Sequence, residues 1–355
     1  MNIELRAGEK VIMPSDPCIR YTGRIDDRNP DAPMLVYVCS SAEMIVTGHI
    51  LRVFLENKCA FYQNRLGVII NDVQTSVLLS DGEQVIDLSD RLTDGENHVL
   101  LFKRQDCCHA MVLHGLAVAE DAQLRMLPPQ PNRRIEVYGD SVSAGEVSEA
   151  EFACGQTDPE GHEGRYSNGY LSYAWQATRL LGAELHDNAT GGMALLDGTG
   201  YFNMPDTIGM LSAWDKVNFY PPLGETTEWD FSRYTPHVVI VAIGQNDAHP
   251  LNYMAKDEHS AQAEHWKRAY AGWIGAIRRV YPKAYILLTT TILGHDASWD
   301  RAIDEVCCRM DDPKIRHFLY TKNGCGTPGH VRGSEAAQMA QELVSFIETL
   351  PDVWQ

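Results

Sequence analysis

The octet HVVIVAIG, His237 to Gly244, constrains the fold more than any other stretch of this chain. Its apolar run is too short for a buried helix and has no polar alternation for a half-exposed strand. It therefore reads as a strand covered on both faces. It has companions. IEVYG (Ile135–Gly139), AELHD (Ala183–Asp187), AYILLTTT (Ala284–Thr291) and IRHFLY (Ile315–Tyr320) also have strand character. Between and after them, SYAWQATRLLG (Ser172–Gly182), Ala261–Tyr281, Arg301–Met310 and GSEAAQMAQELVSFIETL (Gly333–Leu350) read as helices. Buried strands alternating with helices predict an α/β unit with a parallel sheet covered on both sides. Such sheets take their ligands at the carboxyl ends of the strands.

The preceding sequence has a different rhythm. From Met34 to Leu127, short runs such as MLVYVCS, EMIVTGH, RLGVIIND, HVLLFKR and MVLHGLAVAE follow one another, rich in β-branched and aromatic residues. Turn pairs at Asn71-Asp72, Asp81-Gly82 and Asp94-Gly95 punctuate them, with no long helical period between. This predicts a small antiparallel sandwich, best matched by a jelly roll. MLPPQPNRR (Met126–Arg134), with three prolines in four residues, is a stiff connector. The 355 residues also exceed the size at which one core stops growing. Two domains are expected, 1–128 and 129–355.

A formal net charge of −18 argues against nucleic acid or an anionic membrane as partner, since phosphate contacts need clustered Lys and Arg. No apolar run approaches the ~20 residues of a membrane span. MNIELRAGEK lacks a basic and then apolar leader, so a cytoplasmic location is expected. The nine cysteines form no C-x-x-C pair and read as free thiols in a reducing compartment. Neither cofactor nor metal is expected. His259 and His265 are six apart, on different faces of a helix, and no His-Glu-x-x-His pattern accompanies them. A homo-oligomer is left open.

Four short blocks lie at strand ends or ahead of helices: Gly139-Asp140-Ser141, NATGGMA (Asn188–Ala194), GQND (Gly244–Asp247) and TPGHVRGSE (Thr327–Glu335). Each residue type has a chemical reason. A serine hydroxyl is a weak nucleophile until a base removes its proton, and neutral histidine, here His330, is the usual base near pH 7. Attack on an ester makes an oxyanion that needs donors fixed in advance. The N–H of Ser141, an N–H from the Gly191-Gly192 pair and the side-chain amide of Asn246 provide three candidates. Any one block says little by itself; all four, in this order in one α/β unit, point to catalysis by an activated serine.

The order GDS, Gly, GxND, His resembles the SGNH (GDSL-type) hydrolase superfamily over residues 133–350. A jelly roll ahead of such a domain, with YTGRID (Tyr21–Asp26) before the first strands, is similar to carbohydrate esterase family two, the acetyl xylan esterases. The resemblance implies a flavodoxin-like α/β/α sandwich of about five parallel strands and a bacterial source. It also implies metal-independent removal of acetyl groups from sugar hydroxyls. In that pattern Ser141 is the nucleophile, Gly192 and Asn246 are oxyanion donors alongside the Ser141 N–H, and His330 is the base.

The chain departs from the pattern twice. Many such enzymes place an Asp three residues before the His to fix its tautomer; here it is Thr327. A Ser141–His330 dyad is therefore expected, with a carboxylate from elsewhere, Asp296 or Glu335, as the alternative. Some relatives carry an aromatic residue just before the His; here it is Gly329. Trp299, in GHDASWD, is the candidate for packing on a sugar ring. Activity is expected to rise through an ordinary histidine pKa, roughly 6.5. The rival readings are a short-chain lipase or thioesterase of the same superfamily, and a catalytically inert carbohydrate-binding protein.

Overall fold

A computed structural model describes all 355 residues. The chain forms two compact units. The first holds Met1–Gln130 together with Glu163–Arg165 and Val217–Thr227; the second holds Pro131–His162, Tyr166–Lys216 and Glu228–Gln355.

The first unit is built from two six-stranded sheets. In one, the strands run Ile25–Asp26, Met34–Leu35, His109–Ala119, Leu51–Cys59, Gly82–Asp87, and Glu9–Ile12 also pairs with His109–Ala119. In the other they run Leu124–Arg125, Ser41–Thr47, Glu96–Lys103, Arg65–Ile70, Val73–Leu78, and Arg20–Thr22 joins Ser41–Thr47. All pairings are antiparallel. Alternation along the strands puts one face inward: Met44 and Val46, Val53, Val68, Val99, Leu116 and Val118 are fully buried in one apolar core. Each such side chain contributes about 1.5–3 kcal/mol on burial. At Asn71 and Asp72 the φ angles are +50° and +65°, a two-residue turn whose twist matches the flanking strands.

The second unit contains five strands, β1 (Arg133–Gly139), β2 (Ala183–Asp187), β3 (Val238–Ala242), β4 (Tyr285–Thr289) and β5 (Ile315–His317). Its longer helices are α1 (Tyr173–Leu181), α2 (Ala261–Val280), α3 (Ser298–Met310) and α4 (Gly333–Glu348). The sheet is parallel throughout, in the order β2-β1-β3-β4-β5. Every residue of β3 and β4 is buried, which is why those sequences carry no polar alternation. Ser172 and Ser260 cap α1 and α2, each accepting a backbone N–H at 3.2 Å. From β1 the chain steps to one side for β2 and returns across β1 to β3. The crevice at their carboxyl ends is where such sheets bind ligands. Both GDS and GQND sit there.

α3 starts three residues before Arg301 and so takes up Trp299. That side chain faces inward with no exposure, its ring edge-on to Tyr253 and Trp266 at 5.3 Å each. Its indole N–H donates to Asn252 Oδ1 at 3.1 Å. Trp299 is a core residue of an amphipathic helix, so the expectation of a sugar-stacking loop tryptophan is corrected. No helix is long and apolar enough to cross a membrane.

Candidate active site

β1 ends at Gly139 and the chain turns at Asp140-Ser141. The Asp140 carboxylate accepts the N–H of Val142 at 3.0 Å, which fixes the bend and holds Ser141 at the strand end. Its second oxygen accepts Gln245 Nε2 at 2.7 Å and Asn246 Nδ2 at 3.1 Å. Complete burial pushes Asp140 up to about 6, against the opposing pull of the Val142 and Gln245 hydrogen bonds and of the nearby His330 and His295.

β3 runs through Gly244 into one turn, Gln245–Ala248. Asp247, buried there, accepts Trp266 Nε1 at 2.8 Å and the Leu195 N–H at 3.0 Å. Burial raises it to about 7. Asn246 Nδ2 also donates to Met193 O at 3.1 Å. These bonds tie the second block to the third, as the Asp140 bonds tie the third to the first. Gly192 has φ +72°, and a Cβ there would stand 2.9 Å from both Tyr201 Cβ and Phe202 N, so only glycine fits. Asn188-Ala189-Thr190, which matches a glycosylation acceptor, is buried and serves this packing.

The three candidate oxyanion donors fall into two kinds. The N–H groups of Ser141 and Gly192 donate to no group of the chain. Both amide hydrogens of Asn246 are directed at protein acceptors, Asp140 and Met193. Asn246 thus braces the first and second blocks, and it reaches an oxyanion only by releasing one of those bonds.

His330 lies in the segment before α4, its side chain 22% exposed. Its Nδ1 is 2.6 Å from Asp158 Oδ2, and its backbone N–H donates to Asp158 Oδ1 at 2.9 Å. Arg332 Nη1 donates to the same Oδ1 at 3.0 Å. Neither carboxylate anticipated from sequence is used: Asp296 accepts the Ser298 N–H at 2.9 Å, and Glu335 caps α4 on the Arg332 N–H at 2.8 Å. The expectation of an unassisted dyad is therefore corrected. A carboxylate does hold the imidazole, and it comes from the loop after Ser141. Residue type and spacing gave no signal for Asp158; TDPEGHEGR has the composition of an ordinary solvated loop.

Nε2 of His330 faces the other way, 3.7 Å from Glu146 Oε2. Glu146 belongs to the turn that starts at Ser141, its N–H donating to Ser141 O at 2.9 Å. No hydrogen bond joins His330 to Ser141 Oγ. Such bonds commonly form only when substrate is bound. Burial lowers the imidazole, but Glu146 first and then Asp158 and Asp140 outweigh it and raise it to about 9. This replaces the ordinary histidine value expected from sequence. For Asp158, burial opposes ionisation, yet the bonds and charge of His330 and Arg332 keep it well below the usual carboxylate range.

An exposed aromatic surface adjoins the glycine block. Tyr201 is 53% exposed and stacks on His249 with ring centroids 4.2 Å apart. Its N–H donates to Gly192 O at 2.8 Å.

Comparison with known proteins gives the chain's relatives. Residues 21–128 match the family described as Carbohydrate esterase 2 N-terminal. Over 98% of its length the chain is 26% identical to an acetylxylan esterase / glucomannan deacetylase of Cellvibrio japonicus, covering 93% of that protein. Among solved structures, it is similar to a family two carbohydrate esterase from Cellvibrio japonicus, with a TM-score of 0.79, 24% identity, and coverage of 98% of this chain and 99% of that one. It is also similar to a family two carbohydrate esterase from Clostridium thermocellum in complex with cellohexaose, with a TM-score of 0.77, 23% identity, and coverage of 93% and 98%.

Proposed function

We propose that this relative of the family two carbohydrate esterases is a serine esterase that removes O-acetyl groups from acetylated xylan or related oligosaccharides. Ser141 Oγ gives its proton to His330 Nε2 and attacks the acetyl carbonyl. The N–H groups of Ser141 and Gly192 receive the developing oxyanion, and Asn246 joins them as it turns from Met193. As the intermediate collapses, His330 returns the proton to the departing sugar oxygen. A water deprotonated by His330 then attacks the acetyl-serine, and as the Ser141 Oγ–carbonyl bond breaks His330 returns that proton to Oγ, releasing acetate. Tyr201 offers a face on which a pyranose ring can pack.

The observation that carries this reading is the hydrogen-bonded convergence of the blocks, Asp140 to Gln245 and Asn246, then Asn246 to Met193. The strand order of the second unit supports a flavodoxin-like three-layer α/β/α sandwich of SGNH type, and the paired antiparallel sheets of the first support a jelly roll. The nine free cysteines suit a reducing compartment such as the cytoplasm.

The test is release of acetate from acetylated xylo-oligosaccharide and hydrolysis of p-nitrophenyl acetate. Wild type should turn over both, and Ser141→Ala neither. Equal activity in the two proteins overturns the assignment. Preference for C8 over C2 p-nitrophenyl esters replaces it with the lipase or thioesterase reading. Sugar binding without turnover in either protein replaces it with an inert binding protein.

A further inference from the structure

We propose that Asp158 is the positioning acid of this site, supplied by the loop after the nucleophile instead of the segment before the histidine, and that Gly329 is the residue that admits it. The proposal rests on the esterase reading and adds a residue to it. Three contacts converge on one carboxylate: Oδ2 on His330 Nδ1 at 2.6 Å, and Oδ1 on the His330 N–H at 2.9 Å and on Arg332 Nη1 at 3.0 Å. Arg332 is fully buried, and its guanidinium also donates to His330 O and to Thr157 O. One cation thus fixes both the acid and the backbone of the base.

The place from which the acid usually acts is filled by Thr327, whose hydroxyl is buried and has no hydrogen-bond partner. Nothing there reaches the imidazole. Room for the substitute depends on residue 329. A Cβ on Gly329 would stand 2.6 Å from Gln156 O, 2.8 Å from Asp158 Oδ1 and 2.9 Å from Asp158 N. Two of those three atoms are backbone, so any side chain at 329 pushes the Asp158 loop away from His330.

The chemical consequence concerns the tautomer. With its Nδ1 proton given to Asp158, the imidazole keeps its lone pair on Nε2, the nitrogen a serine base must use. The charged groups facing His330 are Asp158 and Arg332 on the Nδ1 side, Glu146 at 3.7 Å from Nε2, and Asp140 behind the nucleophile. Removing Asp158 leaves Glu146 and Asp140 as the remaining anions.

Asp158→Asn in the full-length chain should lower kcat by about 10²–10⁴-fold, as loss of a tautomer-fixing carboxylate does, with little change in KM. The acid limb of its kcat/KM profile should move to lower pH, because one anion that favours the imidazolium is gone. A merely structural role would reduce the amount of folded enzyme and leave that limb in place. Thr327→Asp added to Asp158→Asn should restore part of the lost kcat. Independently of turnover, proton NMR of Ser141→Ala should show a downfield, hydrogen-bonded His330 Nδ1 proton that is lost when Gly329→Ala is added. Near-wild-type kcat and an unmoved limb in folded Asp158→Asn overturn the proposal, as does absence of that proton in Ser141→Ala. If wild type hydrolyses no acetyl ester, the esterase reading fails by itself, and the NMR proton alone decides whether Asp158 holds His330.

Discussion

His330 is hemmed by carboxylates on both ring nitrogens, which distinguishes it from a histidine paired only with a serine. As the proposed base it must be neutral, so activity should grow as pH rises through its pKa. With that pKa raised to about 9, the acid limb of kcat/KM should lie well on the alkaline side of neutrality. Glu146→Gln removes the largest charge contribution and should shift the limb downward; a pH-rate profile of the variant that overlays wild type contradicts this. Asn246 has a structural duty beside its proposed catalytic one, since its Nδ2 donates to Asp140 and Met193. Asn246→Ala should cost on the order of 3 kcal/mol of transition-state stabilisation, read as a fall in kcat with acetylated oligosaccharide. Ser141, Gly192, Asn246 and His330, the residues of the proposed site, could be singled out in the sequence because each sits in a short block at a strand end or before a helix. Asp158 was not. It is one of 48 acidic residues, in a loop without periodicity, and only the fold brings it to His330.

Among the elements, those with unambiguous patterning were read correctly. β3 and β4 are apolar throughout and emerged as the buried centre of a parallel sheet. α1 starts at the Ser172 cap and stops before Gly182, whose φ is +57°. α3 shows what the pattern leaves out. From sequence the helix is expected to start near Arg301, yet it begins at Ser298, where the Asp296 side chain accepts the Ser298 N–H. Those three residues moved Trp299 from surface to core. Trp299→Ala should therefore destabilise the protein by about 3–5 kcal/mol, as large-to-small core changes do. At temperatures where the variant is folded, its KM for acetylated xylo-oligosaccharide should match wild type. A variant that melts normally but has a sharply raised KM would return Trp299 to the substrate site.

For the whole molecule, the proline connector is a poor guide to where the chain can be cut. Val217–Thr227 belongs to the first unit although it lies far beyond Gln130 in sequence. Its Phe219 and Tyr220 are buried there, with ring contacts to Tyr37 at 6.1 Å and Phe61 at 6.5 Å. No local sequence signal announces such a return, because it depends on where the chain passes in space. A fragment ending at Gln130 lacks these rings and should melt below the first transition of the full chain, with added binding of an apolar dye; equal melting would show the segment to be dispensable. Chelators should leave turnover unchanged, since the proposed chemistry uses only side chains and backbone N–H groups. The shared position of nucleophile and base is tested most directly by active-site labelling with diethyl p-nitrophenyl phosphate and peptide mapping by mass spectrometry. Wild type should carry a single phosphoryl adduct, on Ser141, and His330→Ala should label far more slowly. An adduct on another residue, or one formed on Ser141 at an undiminished rate without His330, would mean that the two do not act together.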